Sequence, residues 1–225
     1  MTKNLENTSI ERKKFLLVEG ISDKIFFEYY LKHINIKDIQ VIQYKEKDHL
    51  KKFLIERLIP LNDNFIDLEL LIIQMDYDDG KNLKLVEKAL NDISYPCPEK
   101  EFTIINHKSL KIGFISTPFE DKTNQKKELE SLCLELIHDD KEKAQHQQIL
   151  KLAKQYIKDV NVLHPSSTMH KIDKSILYSY LSVFSKSSGK ENNFIASWWS
   201  NAIERDCFDF NKPYMSKYKN FFEKI

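Results

Sequence analysis

Along the first half of the chain, short apolar runs closed by polar turns alternate with segments whose apolar residues recur every three or four positions. Phe15 to Val18 form the first run, punctuated by Gly20, and read as a buried strand. Ser22-Asp23 suit the N-cap of a helix over about 23 to 34. Ile39 to Tyr44 give the next strand, and Leu50, Phe53, Leu54 and Leu58 a helix stopped by Pro60. "LELLIIQMD", residues 68 to 76, is the strongest strand signal and ends in the acidic stretch "DYDDG". Leu85, Val86, Ala89 and Leu90 return to helical spacing, and "FTIIN" and "KIGFISTP" supply two more short strands. The order β-α-β-α-β-α-β predicts an α/β fold, a mainly parallel sheet flanked by helices.

Beyond residue 126 the pattern is helical. "KKELESLCLELI" reads as a helix, and Ile149, Leu152, Ala153, Tyr156 and Ile157 keep an amphipathic rhythm. Residues 172–184 and 194–205 read as further helices. The expected organisation is an α/β domain over 13–138 and a helical C-terminal extension over 139–225 that completes the site.

A chain of 225 residues with 41% hydrophobic content, 14 Phe and 10 Tyr can bury a sizeable core. Its formal net charge of +1 excludes coating of nucleic acid by bulk charge. Any such contact must be local, or be helped by a metal ion or a partner. Cys97, Cys133 and Cys207 are too widely spaced for a CxxC-type knuckle, and an odd count argues against a disulfide framework. They read as reduced thiols of a cytoplasmic protein. "MTKNLENTSIERKK" lacks an apolar signal core, and no stretch approaches 18 consecutive apolar residues, so no membrane association is expected. The four glycines form neither GxGxxG nor a P-loop.

The chemistry lies in the carboxylates. Ligands of open parallel sheets sit beyond the carboxyl ends of the strands, where Glu19, Asp76 and Asp78 fall. Alternation sends Asp76 and Asp78 to one side and Tyr77 away, and Asp23 can face the same place. Two carboxylates ~4 Å apart repel by roughly 4 kcal/mol at an effective dielectric of about 20. The cluster is therefore either spread into water, as a solvated β-turn, or compensated by a divalent cation. An all-oxygen set favours Mg²⁺ or Mn²⁺ over zinc.

"LLVEGISDKIFF", followed about fifty residues later by "LLIIQMDYDDG", resembles the Toprim domain with its EG…D and DxD boxes. That domain occurs in primases, type IA and II topoisomerases, ribosomal-RNA maturases and the overcoming-lysogenization-defect (OLD) nucleases. "IGFISTPFEDKTNQKKELESLCLELI" and "DKSILYSYLSVF" resemble a standalone group similar to the nuclease half of OLD proteins, the DUF3226 group. The glycine usual before LE is absent here, with Lys127-Glu128 in its place, and the group's EGxDD reads EGISD.

The resemblance implies a Toprim-like, Rossmann-like sheet with Glu19, Asp76 and Asp78 on Mg²⁺ or Mn²⁺ and Asp23 nearby. Glu130 would add a carboxylate and allow a second ion, a role for which Glu128 and Glu135 compete. Lys174, with Lys171 as its rival, would stabilise charge developing at a phosphate, and Glu19, Lys174 and Glu130 would form the catalytic set. The implied activity is metal-dependent phosphodiester cleavage of DNA or RNA, in phage defence or repair, with any ATPase a separate partner protein. The alternative is a Toprim module that binds a metal and a phosphate ligand or a protein without turnover. The histidines show no ligand spacing, and Trp198 and Trp199 read as core rather than as a base-stacking platform.

Overall fold

The structure is a computed structural model that describes residues 11–45, 49–58, 68–77, 81–118, 128–139, 143–163, 172–184 and 194–225. The chain forms two compact units, one made of Met1–Lys126 with Tyr218–Ile225, the other of Lys127–Lys217.

The first unit carries β1 (Lys14–Val18), α1 (Ile21–His33), β2 (Ile39–Gln43), α2 (His49–Phe53, continued as a π-helical turn Leu54–Leu58), β3 (Leu70–Asp76) and α3 (Lys81–Asn91). It then carries β4 (Thr103–His107) and β5 (Leu110–Thr117). The strands form one sheet in the order β2-β1-β3-β5-β4. β1 pairs in parallel with β2 and β3, with Leu17 opposite Ile42 on one side and Ile73 on the other, and β3 pairs in parallel with β5.

The expected mainly parallel sheet is therefore present, with one change at its edge. β4 and β5 form an antiparallel hairpin, because the two residues Lys108 and Ser109 can join only antiparallel neighbours. Lys108 takes a positive φ of 56° to make that turn.

Each face of the sheet has its own cover. Phe15, Leu17, Ile42, Leu71, Ile73 and Met75 pack with Leu50 and Phe53 of α2 and Val86 and Leu90 of α3. The intervening strand residues face the other way, among them Gln74 and Gly113. On that side the C-terminal segment returns as α8 (Ser216–Phe222), the last helix of the chain. Tyr30 and Phe27 of α1 meet the rings of Tyr218 and Phe222 at 6.2 to 6.5 Å between centroids. The Tyr218 hydroxyl donates to the Ser116 carbonyl at 2.9 Å.

The second unit is helical: α4 (Leu129–Leu136), α5 (Ala144–Leu163), α6 (Ile172–Ser182) and α7 (Phe194–Glu204). α6 packs on α4, α5 and α7. Trp199 is fully buried against Phe208, the core position expected of it, while Trp198 is half-buried beside Tyr178. Cys133 and Cys207 are buried cysteines, and Cys97 is a half-buried one. No helix among the described residues is long and apolar enough to cross a membrane.

Candidate metal centre

β1 lies between β2 and β3, so the chain leaves β1 in one direction for β2 and returns on the other side as β3. The carboxyl ends of β1 and β3 thus flank the topological switch point, where open α/β sheets leave a crevice. Glu19 follows β1 directly, and Asp76 is the last residue of β3. Both are half-buried, and Oε2 of Glu19 is fully covered.

Asp23 joins them through the start of α1. The helix begins at Ile21 with Gly20 as its N-cap, two to three residues earlier than the Ser22-Asp23 cap expected from the sequence. The reason is Asp23 itself: at the third helical position its Oδ2 accepts the Gly20 N–H at 3.1 Å, which satisfies a backbone donor that the helix leaves open. A Cβ on residue 20 would stand 2.9 Å from that oxygen, so a larger residue would make the Asp23 carboxylate give way. The negative charge also sits favourably at the positive end of the helix.

Two residues that the sequence analysis did not single out support the carboxylates. Gln74 donates its Nε2 to Asp23 Oδ1 at 3.3 Å, tying β3 to α1. Tyr44 follows β2, donates its N–H to the Val18 carbonyl at 2.9 Å, and lies fully buried with its hydroxyl 3.4 Å from the Gln74 carbonyl. Burial pushes the Tyr44 phenol well above its ordinary value, and the charges of Glu19, Asp23 and Asp76 push it in the same direction. All three carboxylates therefore act on one hydroxyl. The Asp76 carbonyl accepts from Asn82 Nδ2 of α3, which anchors the end of β3. Tyr77 turns inward, 4% exposed, with its N–H on the Thr117 carbonyl. Asp78 lies outside the described residues.

The second unit pairs Glu130 with Lys174, two members of the implied catalytic set. Glu130, in the first turn of α4, is buried, and its Oε1 pairs with Lys174 Nζ at 2.9 Å. The Tyr178 hydroxyl donates to the same oxygen at 3.2 Å, and the Lys174 ammonium stands 5.6 Å from the centre of the Tyr178 ring. Burial would lower the Lys174 pKa, but the hydrogen bond and charge of Glu130 outweigh it and hold the ammonium above its ordinary value. Of the two rival carboxylates, Glu128 is half-buried and Glu135 is exposed. Lys171 lies outside the described residues.

The family described as DUF3226, a protein of unknown function, matches residues 13–225. The chain belongs to the DUF3226 family. Among solved structures, this DUF3226 protein is similar to the crystal structure of hypothetical protein PH0156 from Pyrococcus horikoshii OT3. The TM-score is 0.52 at 15% identity, over 96% of this chain and 95% of that one. That likeness concerns the fold alone. No curated protein matches the chain.

The donor set of the DUF3226 protein at the switch point is all oxygen. Among the described residues, no three His, Cys, Asp or Glu side chains are arranged to hold a metal ion by themselves. Mg²⁺ needs less: it keeps several of its waters and uses one or two carboxylates. Glu19 and Asp76 fit that requirement, and Asp23, with both oxygens already accepting hydrogen bonds, fits a supporting position. The chemistry suits a hard cation and not zinc.

Proposed function

We propose that this DUF3226 protein is a Mg²⁺- or Mn²⁺-dependent phosphodiesterase of the Toprim type that cleaves nucleic acid. What supports the reading is placement: Glu19 and Asp76 stand at the carboxyl ends of the paired strands β1 and β3, and Asp23 is tied to β3 through Gln74. The EG…D and DxD boxes around these residues support it.

Glu19 and Asp76 would hold the ion, with Asp78 as a further donor, and Asp23 would fix the turn from which Glu19 projects. A divalent cation held there would polarise a phosphoryl oxygen and lower the pKa of a bound water. The residues around it act by placement. Tyr44 stays protonated as a neutral floor, Asn82 holds the end of β3, and the Asp23 cap on Gly20 fixes the turn that follows Glu19. A net charge of +1 leaves a bound metal to supply part of the attraction for phosphate, so DNA or RNA is expected to bind more weakly once the ion is removed.

The test is incubation of the full chain with supercoiled plasmid and with single-stranded RNA, with Mn²⁺, with Mg²⁺ and with chelator. Cleavage that needs the metal and drops by at least ~100-fold in Asp76→Asn is the expected result. A wild-type protein that binds the ion and cuts neither substrate supports the binding module instead.

A further inference from the structure

β3 is apolar along its length except for two residues near its end, Gln74 and Asp76. Two apart on a strand, they leave the sheet on the same face. Asp76 belongs to the candidate metal centre, but nothing in the sequence pattern accounts for a glutamine at position 74, which is 0% exposed.

Its amide orientation is fixed by its neighbour. An ionised carboxylate only accepts hydrogen bonds, so the NH₂ end must face Asp23, as it does at 3.3 Å. The carbonyl end, Oε1, is then left buried with no donor among the described residues. A leucine or valine at this position would avoid that loss, and buried acceptors without donors are rare in folded proteins.

We propose that Gln74 is a positioning residue of the metal centre: its Nε2 holds Asp23, and its Oε1 is kept for a donor that arrives with the bound cation, a metal-bound water. This rests on the metal-centre reading above and adds a residue to it. Partners of this kind beyond the direct ligands orient the ligands and tune affinity for the ion.

Mn²⁺ binding by calorimetry and by the paramagnetic resonance spectrum of the bound ion is compared in the wild type, Gln74→Met and Gln74→Leu. Thermal melting is followed in parallel in chelator. Both substitutions are expected to weaken Mn²⁺ affinity by about 10–100-fold and to alter the spectrum, with the melting temperature in chelator unchanged or raised. Equal affinity in wild type and Gln74→Met, or a lowered affinity matched by a lowered melting temperature in chelator, overturns the positioning role and leaves the metal centre standing. A wild type that binds no Mn²⁺ overturns the metal centre itself, and the role of Gln74 with it.

Discussion

Glu130 and Lys174 show how far a residue's role depends on what surrounds it. From the sequence they were one carboxylate among three and one lysine beside a rival; in the fold they are an ion pair with a tyrosine hydroxyl as third member. The Glu130 side chain is 6% exposed and that of Lys174 is 35% exposed, so the pair is only partly screened by water. Lys174→Ala should leave a buried carboxylate short of its cation. The expected cost is about 1–3 kcal/mol in urea unfolding, below that of a wholly buried pair because Lys174 reaches solvent. Glu130→Gln combined with Lys174→Met should recover most of it.

The thiols give a second residue-scale outcome. Burial first, and the Glu87 charge second, push the Cys97 thiol up to about 11, and burial pushes Cys207 to about 11. The unfolded chain ionises its thiols near 8.5, so between that pH and about 11 the folded state holds more protons and stability falls as pH rises. Both thiols should resist maleimide at pH 8 until denaturant is added, and alkaline melts should fall over that window. Replacing Cys97 and Cys207 by Ser or Ala should flatten the fall.

Much of the element scale was legible in the sequence. The strand signals of "FLLV" and "LLIIQMD" are strong because both elements are buried almost throughout. The rhythm of Ile149, Leu152, Ala153, Tyr156 and Ile157 found α5 but not its face, since Ala153 and Ile157 are buried with Leu150 while Leu152 and Tyr156 are exposed. The start of α1 was misplaced because two residues compete for the cap: serine and aspartate at 22 and 23 suit an N-cap, but Asp23 works better one turn in, bonding back to Gly20. The return of α8 to the sheet was not legible either, since a short run of aromatics says nothing of what it will cover. Gly113 leaves room for the Phe221 ring in that return. A Cβ there would stand 3.0 Å from Phe221 Cζ, in the middle of β5. Gly113→Ala should therefore destabilise the sheet unit by about 1–3 kcal/mol as the ring is forced aside, read as a lowered melting temperature.

At the scale of the whole molecule, what brings Glu19 and Asp76 to one place is the strand order, not their spacing in the chain. β2-β1-β3 sets the ends of β1 and β3 side by side, the place where open α/β sheets take ligands. The acidic boxes therefore announced the candidate ligands, and alternation announced which would share a side. Gln74 and Tyr44 stayed hidden because one polar residue in a buried strand, or one tyrosine after another, carries no period. The claim on which the rest depends is that the switch-point carboxylates bind a divalent cation. Calorimetric titration of Mn²⁺ and Mg²⁺ into the wild type and into Asp76→Asn tests it most directly. Saturable binding in the wild type that is lost in the variant, with melting in chelator unchanged between them, is the predicted result. A wild type that takes up neither cation at millimolar concentration would contradict the account and make the cluster a solvated turn.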